Sequence, residues 1–163
     1  MKKTLFSLFL LLIALIWAPA AIPEQTINNC PIPDDMKIVP PDKNEVPPKL
    51  ALLSGIWEGH WGNMAVVFIV EKIVKNEADV ILAYSGRQTK ASGSVHPGFV
   101  RKTCPIKRGE SGNYQIIMVT GRVTNNLIQI DDPNSIRVHR DGLGGSRATA
   151  DMQDSMFTRK EMK

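Results

Sequence analysis

The chain has 163 residues and a formal net charge of +4, with 43% hydrophobic and 22% charged residues. This length suits one domain with a substantial core and is too short for two. Lys2 and Lys3 contribute two of the positive charges. If the N-terminal segment is removed, the remaining surplus is too small for a dedicated nucleic-acid-binding protein, so we expect no nucleic-acid partner.

Residues 1–21 have the three parts of a secretory signal peptide. Lys2 and Lys3 supply a positive start, an apolar run extends from Leu5 to Trp17, and Ala18-Pro19-Ala20 provides small residues at the cleavage site. The sequence therefore predicts a secreted or periplasmic protein with no membrane span after cleavage. The alternative is an uncleaved leader, whose apolar run is close to the shortest length that crosses a bilayer.

Residues 22–49 are predicted to form a proline-rich, extended arm. Proline removes a backbone donor and excludes regular helix and central strand. Seven prolines lie in this stretch: Pro23, Pro31, Pro33, Pro40, Pro41, Pro47 and Pro48. Acidic and basic residues alternate between them, which is typical of solvated, extended chain.

Residues 50–163 are predicted to fold as an all-β domain, a small antiparallel barrel or barrel-like sheet of about eight strands. Short segments rich in β-branched and aromatic residues alternate with turn signals. The predicted strands cover residues 53–61, 64–74, 79–85, 95–102, 114–123, 127–130, 136–139 and 156–160, and hairpin turns are predicted at 75–77, 131–134 and 141–142. The alternative for Met64–Val74 is an amphipathic helix, which the β-branched content of this segment disfavours.

The chain contains two cysteines, Cys30 and Cys104. Both remain after removal of the leader, and two cysteines in an oxidising compartment usually pair. We therefore predict a Cys30–Cys104 disulfide that pins the arm across the domain as a strap and stabilises the fold by roughly 4 kcal/mol. Two free thiols are the alternative. Neither cysteine lies in a nucleophile motif, so no catalytic cysteine is predicted.

The sequence predicts no catalytic residue, no metal site and no cofactor. No serine lies in a nucleophile-elbow motif, and no short spacing joins the three histidines. Glu58 and His60 share one face of the first predicted strand, where an acid–base pair and an ordinary solvated pair are the two interpretations. An enzyme is therefore the least favoured class of protein.

Gly55-Ile56-Trp57 opens the first predicted strand, directly after the proline-rich arm. This arrangement resembles the calycin barrels (lipocalins, avidins and fatty-acid-binding proteins), in which a G-x-W motif begins the first strand. The resemblance implies that Trp57 packs at the closed end of the barrel beneath an arginine from the last strand. Arg159 is the arginine at a suitable place. A guanidinium on an indole face contributes about 0.5–2 kcal/mol.

The resemblance also implies that the barrel mouth opposite Trp57 takes small apolar ligands. Trp61 and Tyr84 are the aromatic candidates for a ligand-binding lining, and ordinary core or rim positions are the alternative. Two functions follow: a ligand-binding barrel, with a small apolar ligand as its partner, and a protein-interaction module such as a periplasmic enzyme inhibitor. A hollow barrel favours the first, whereas a filled barrel with exposed loops and a tethered arm favours the second.

The densest basic cluster flanks Cys104-Pro105. A solvated loop is its ordinary interpretation, and a surface for an acidic partner or for an anionic cell envelope is the functional one. Its members are Arg101, Lys102, Lys107 and Arg108.

Overall fold

The computed structural model describes residues 25–87, 94–109, 112–120, 124–142 and 153–161, and the predicted signal peptide lies outside them. The elements within these residues are β1 Gln25–Ile27, β2 Cys30–Ile32, α1 Pro48–Ala51, β3 Gly55–Trp61, β4 Met64–Val74, β5 Glu77–Tyr84, β6 Gly98–Arg108, β7 Tyr114–Thr120, β8 Thr124–Asp132, β9 Ser135–Gly142 and β10 Gln153–Lys160. Across the described residues, no helix has the length and hydropathy that a membrane span requires.

Strands β3 to β10 form a closed barrel in which each strand pairs antiparallel with the next. The last strand, β10, pairs with the first, β3, and places Arg159 opposite Trp57. The structure thus confirms the predicted fold class, an antiparallel barrel of eight strands. Because the strands run up and down, Trp57 lies near one end of the barrel. We call the end near Trp57 the closed end. The opposite end, where β3 and β5 terminate, is called the mouth.

Some local predictions were wrong. Asp141 and Gly142 do not form a hairpin turn but end β9, where they pair with β8, because cross-strand pairing overrides local turn preference. Strand β6 continues through Pro105 to Arg108, beyond its predicted end. The proline is tolerated because the neighbouring Ile106, not Pro105, donates its N–H towards β5, to the Asn76 carbonyl at 2.7 Å.

Side-chain alternation divides the apolar residues into an inner and an outer cluster. The inner cluster fills the barrel and includes Trp57, Phe68, Met118 and Phe157. The outer cluster covers β3, β4 and β5 and comprises Cys30, Ile32, Ile56, Ala65, Val67, Ile69, Ile81 and Ala83. Strand β4 is therefore apolar on both faces, which explains its nearly uninterrupted hydrophobic sequence.

The arm packs over the outer cluster and shields it from water. Its start, predicted to be extended, forms a short hairpin of β1 and β2. Asn28 and Asn29 make the turn at φ 50° and 59°, a conformation that asparagine tolerates better than most residues. Ile27, Met36 and Ile38 then pack against the outer cluster. The arm is thus a strap on the barrel surface.

A β-bulge at Glu71 fastens this strap. The extra residue interrupts the register between β4 and β5, so the Glu71 carbonyl is available to accept from Val39 N at 2.7 Å. Its carboxylate accepts from Lys37 N at 3.1 Å and lies 2.9 Å from Arg101 Nε. Arg101 also reaches Asp35 at 2.8 Å. These contacts connect three residues of the arm to the wall.

The end of the arm closes the barrel. Helix α1 begins at Pro48, where a proline loses no intrahelical hydrogen bond. Leu50 and Leu53 are buried in the inner cluster together with Val46. The predicted boundary at residue 50 therefore falls inside a plug that is part of the barrel core.

Candidate functional site

The closed end contains the predicted contact between Trp57 and Arg159. The guanidinium carbon of Arg159 lies 4.2 Å from the centroid of the Trp57 ring, and Trp57 is fully buried. The indole Nε1 donates to the Leu53 carbonyl at 2.9 Å, so the ring has its polar atom satisfied. Strand order correctly predicted this pair.

Arg159 also ties the plug to the last strand. Its Nη1 donates to the Ser54 carbonyl at 2.9 Å, and its Nη2 donates to the Leu52 carbonyl. A Cβ on Gly55, whose φ is +132°, would lie 2.8 Å from Nη1. The glycine of the G-x-W motif therefore makes room for the guanidinium. Burial lowers the pKa of Arg159, but an arginine remains charged at neutral pH.

Aromatic side chains fill the middle of the barrel. Phe68 packs edge-to-face against Phe157, with ring centroids 5.1 Å apart, and against Trp61, at 5.9 Å. The Phe157 ring lies over Gly59, where a Cβ would come within 2.5 Å of it. Phe68 and Phe157 have no accessible surface, whereas residues that line an open lumen would retain some.

Trp61 and Tyr84 lie at the mouth, opposite Trp57. Both face inward at the ends of β3 and β5 and pack against the inner cluster. Trp61 is buried and Tyr84 is half-buried. The structure thus places the two aromatic candidates at the same end of the barrel. Their role in lining a ligand site stays a prediction.

Asn126 is an inward-facing polar residue near the mouth that the sequence reasoning missed. Its Nδ2 donates to the Met118 carbonyl at 2.9 Å and to Thr120 Oγ1 at 3.0 Å. The side chain is fully buried, and among the described residues its Oδ1 has no hydrogen-bond partner. Its position two residues before the inward-facing Ile128 was the available signal. Such an acceptor costs stability unless a donor reaches it.

The predicted disulfide between Cys30 and Cys104 is absent, and both thiols are free. Cys30 belongs to the outer cluster, with its Sγ 3.3 Å from the Ala65 carbonyl, whereas Cys104 belongs to the inner cluster. The barrel wall separates them, so the strap is held by packing and by Glu71 instead. Burial raises the pKa of each thiol to about 11. Both are protonated at neutral pH, which disfavours nucleophilic chemistry.

A charged cleft of about 500 Å³ lies between the arm and strands β4 to β6. Its walls carry charges of both signs, on Asp35, Lys37, Glu71, Lys72, Asp79, Arg101 and Lys102. Arg101 bridges Asp35 and Glu71 and, chiefly through its hydrogen bond, lowers the pKa of Asp35. Three of the seven charged side chains of the cleft are therefore joined in one ion-pair network.

The remaining candidate groups do not converge on a chemical site. Glu58 pairs with Lys160 at 2.6 Å, and His60 is exposed. The basic cluster lies on β6 rather than in a loop. In the described ranges, no group of three His, Cys, Asp or Glu residues is arranged to hold a metal ion.

No protein-family model, curated protein or solved structure matches the chain. What bears on function is therefore the geometry of the barrel and its surface. Among the described residues, the inward-facing apolar side chains pack against one another, and the charged cleft lies on the outside of the wall.

Proposed function

We propose that the mature chain is an exported protein-interaction module, whose barrel is a rigid scaffold and not a ligand container. The observation that carries the proposal is the filled interior. Trp57, Phe68 and Phe157 occupy the barrel cross-section from the closed end to its middle with no accessible surface. A carrier for an apolar ligand needs a pocket of about 300 Å³ or more in that space.

The fastened arm supports the same proposal. A partner that binds a rigid surface loses less conformational entropy on association than one that must order it. Glu71 and Arg101 hold the arm in place, and the outer cluster anchors it by apolar packing. The calycin-like contact between Trp57 and Arg159 is consistent with a related architecture that has been adapted to a different use.

Ligand binding at the mouth is the second candidate function. The observation that favours it is the buried Oδ1 atom of Asn126, which receives no hydrogen bond from the part of the chain that the structure describes. Trp61 and Tyr84 lie at the same end of the barrel. Because Asn126 has no accessible surface, a ligand there requires side chains to move aside. The candidate ligand is therefore small and carries one N–H or O–H donor.

Native mass spectrometry of the protein purified from its own host tests the proposal. We expect a complex with a protein partner and no retained small molecule. N-terminal sequencing of the same sample should give a start at residue 21 or 22, which tests export. A small mass that is released on denaturation would contradict the interaction module and support binding at the mouth.

Titration with N-phenyl-1-naphthylamine, an apolar fluorescent probe, provides an independent check. A filled barrel should give no saturable rise in fluorescence at micromolar probe. The control is the Trp61→Ala variant, in which a cavity opens at the mouth and binding should appear. Saturable binding by the unaltered protein would overturn the scaffold interpretation.

A further inference from the structure

The wall of the barrel is incompletely paired between β6 and β7. Their ladder has three pairs, from Arg108 opposite Tyr114 to Ile106 opposite Ile116. Pro105 is the next residue of β6. Because Ile106 N bonds to the β5 side, alternation directs the Pro105 nitrogen towards β7, where a proline has no hydrogen to donate. The proline is thus the reason that the ladder ends.

We call the unpaired stretch the seam: within the described residues, it comprises residues 102–105 of β6 facing residues 117–120 of β7. The same alternation directs into it the Ile117 carbonyl, which lies opposite the missing Pro105 N–H, and both backbone groups of Val119, whereas the Ile117 N–H faces the Pro105 carbonyl. The Lys102 ammonium donates to the Val119 carbonyl at 2.8 Å. A side chain therefore takes the place of a backbone donor on the neighbouring strand. A backbone donor that binds this carbonyl must displace the ammonium.

Exposed apolar side chains flank the seam. Phe99 on β6 is 39% exposed and Val119 on β7 is 41% exposed. Val95, just before β6, is also exposed. Extended peptides that add to a sheet use two features: an unpaired strand edge and apolar residues beside it.

The charge at and beside the seam is positive. Lys102 is exposed within it, and Lys107 and Arg108 are exposed in the paired stretch of β6 that follows. Arg101 is the member of the basic cluster that has acidic partners, Asp35 and Glu71. The other three cations have no acidic partner among the described residues, which favours a segment that carries carboxylates.

We propose that the seam binds an extended, acidic segment of a partner protein, which adds to the free edge of β7 as an extra strand. The inference rests on the proposed function and names its surface. The backbone of the segment bonds to the Ile117 carbonyl and to both backbone groups of Val119, its apolar side chains cover Phe99 and Val119, and its carboxylates face Lys102. Binding displaces the Lys102 ammonium from the Val119 carbonyl.

The probe for the test is a fluorescein-labelled peptide of alternating glutamate and valine, and a lysine–valine peptide is its matched control. Fluorescence anisotropy should show saturable binding of the acidic peptide that weakens with added salt. The basic peptide should bind at least about tenfold more weakly. Amide hydrogen exchange should show new protection at Val119 in the presence of the acidic peptide.

Two variants test the location. Pro105→Val restores the backbone donor, lets β6 pair further with β7 and should weaken peptide binding by about tenfold or more. Pro40→Val, at an exposed proline of the arm, is the matched control and should leave binding unchanged. Lys102→Gln, which keeps the strand unaltered, should weaken binding and reduce its salt dependence, so the test does not rely on one variant's folding.

Several outcomes would overturn the proposal. These are the absence of saturable binding up to about 1 mM peptide, unaltered binding by both Pro105→Val and Lys102→Gln, and protection of the seam amides by self-association without peptide. The last result would assign the seam to a second copy of the chain. A native complex whose cross-links map away from the seam would overturn this inference and leave the proposed function standing. A small ligand retained in the barrel would contradict the proposed function without altering peptide binding at the seam.

Discussion

The pairings of β3 with β10 and of β6 with β7 are two joints in the barrel wall. The joint between the strands that are distant in sequence is the more complete one. Strands β3 and β10 lie far apart along the chain, yet Arg159 and Ser54, 105 positions apart, are joined by a hydrogen bond. Strands β6 and β7 are consecutive hairpin partners, yet their ladder stops after three pairs. Closeness in sequence makes pairing easy to start, but it does not make a joint complete.

Side chains explain the difference. At the closure of β3 and β10, Gly55 and Gly59 leave room for Arg159 and Phe157, so the two strands interlock. At the seam, Pro105 removes one backbone donor, and the Lys102 ammonium is the compensating contact. The joint between β3 and β10 is specified by side-chain packing. The joint between β6 and β7 is left open by one proline, Pro105.

Removing the Trp57 side chain, at the centre of the closure between β3 and β10, should have the largest effect on protein stability. We expect Trp57→Ala to destabilise the protein by about 3–5 kcal/mol, because it deletes a fully buried aromatic side chain. Urea denaturation followed by circular dichroism measures the change. Met156→Ala, at an exposed position of β10, is the control and should change stability little. A loss below about 1 kcal/mol for Trp57→Ala would show that the closure is not a core element.

The two thiols provide a second perturbation, one on each face of the barrel wall. Cys104 precedes Pro105 at the seam, and Cys30 lies under the arm against Ala65 of β4. Burial raises the pKa of each to about 11, so their contribution to stability is present below pH 9 and is lost as pH rises towards 11. The expected loss by pH 10 is on the order of 2–3 kcal/mol for both thiols together.

Denaturation of the unaltered protein and of a Cys30→Ala, Cys104→Ala double variant at pH 8 and pH 10 measures this loss. The double variant should lose less stability between the two pH values, and the difference isolates the thiols from other groups that titrate in this range. Equal losses would contradict buried free thiols. Native-state alkylation of both cysteines should also be slow at pH 8 and become fast on unfolding.

The contact of Arg159 with Trp57 should contribute a smaller, pairwise energy. In a double-mutant cycle of Arg159→Ala and Trp57→Leu, we expect a coupling of about 0.5–2 kcal/mol. Lys160→Ala on the same strand is the control, because its ion pair with Glu58 lies at the surface and should contribute less than about 1 kcal/mol. A coupling of zero would reduce the closure to ordinary apolar packing and would remove the main support for calycin-like architecture.

The sequence predicted the features that depend on strand order and alternation. Met64–Val74 was bounded correctly, because its β-branched run is continuous and ends at a turn. The Trp57–Arg159 contact followed from closure of the first strand on the last. These are regular properties of a barrel and do not require knowledge of the neighbouring side chains.

Features that depend on which face a residue occupies were harder to predict. Cys104 and Ile106 share the inward face of β6, a pattern that the strand prediction ending at residue 102 did not reach. Cys30 lies in the arm, where prolines erase any alternation. The bulge at Glu71 has no sequence signal of its own, because it arises from the mismatch between two strands. The disulfide prediction failed because the sequence did not reveal that Cys30 and Cys104 lie on opposite faces of the barrel wall.

Closing the seam should change the stability of the protein least, and should increase it. In Pro105→Val, residue 105 gains an N–H directed at β7, so the ladder can extend beyond Ile106 and Ile116 towards Ile117. One added backbone hydrogen bond contributes about 0.5–1.5 kcal/mol, and valine favours a strand. We therefore expect a slightly more stable protein.

Hydrogen exchange locates that gain. In the unaltered protein, the Val119 amide should exchange faster than those of Trp57 and Phe157 at the closure, because strand edges without partners open at low cost. In Pro105→Val the new N–H donates to the Ile117 carbonyl, the ladder extends and the Val119 amide should slow, whereas the closure amides change only with global stability. Pro40→Val, in the arm, should slow none of them. If Val119 were already as protected as Trp57 in the unaltered protein, the two joints would be equivalent and the seam would have no free edge to offer a partner.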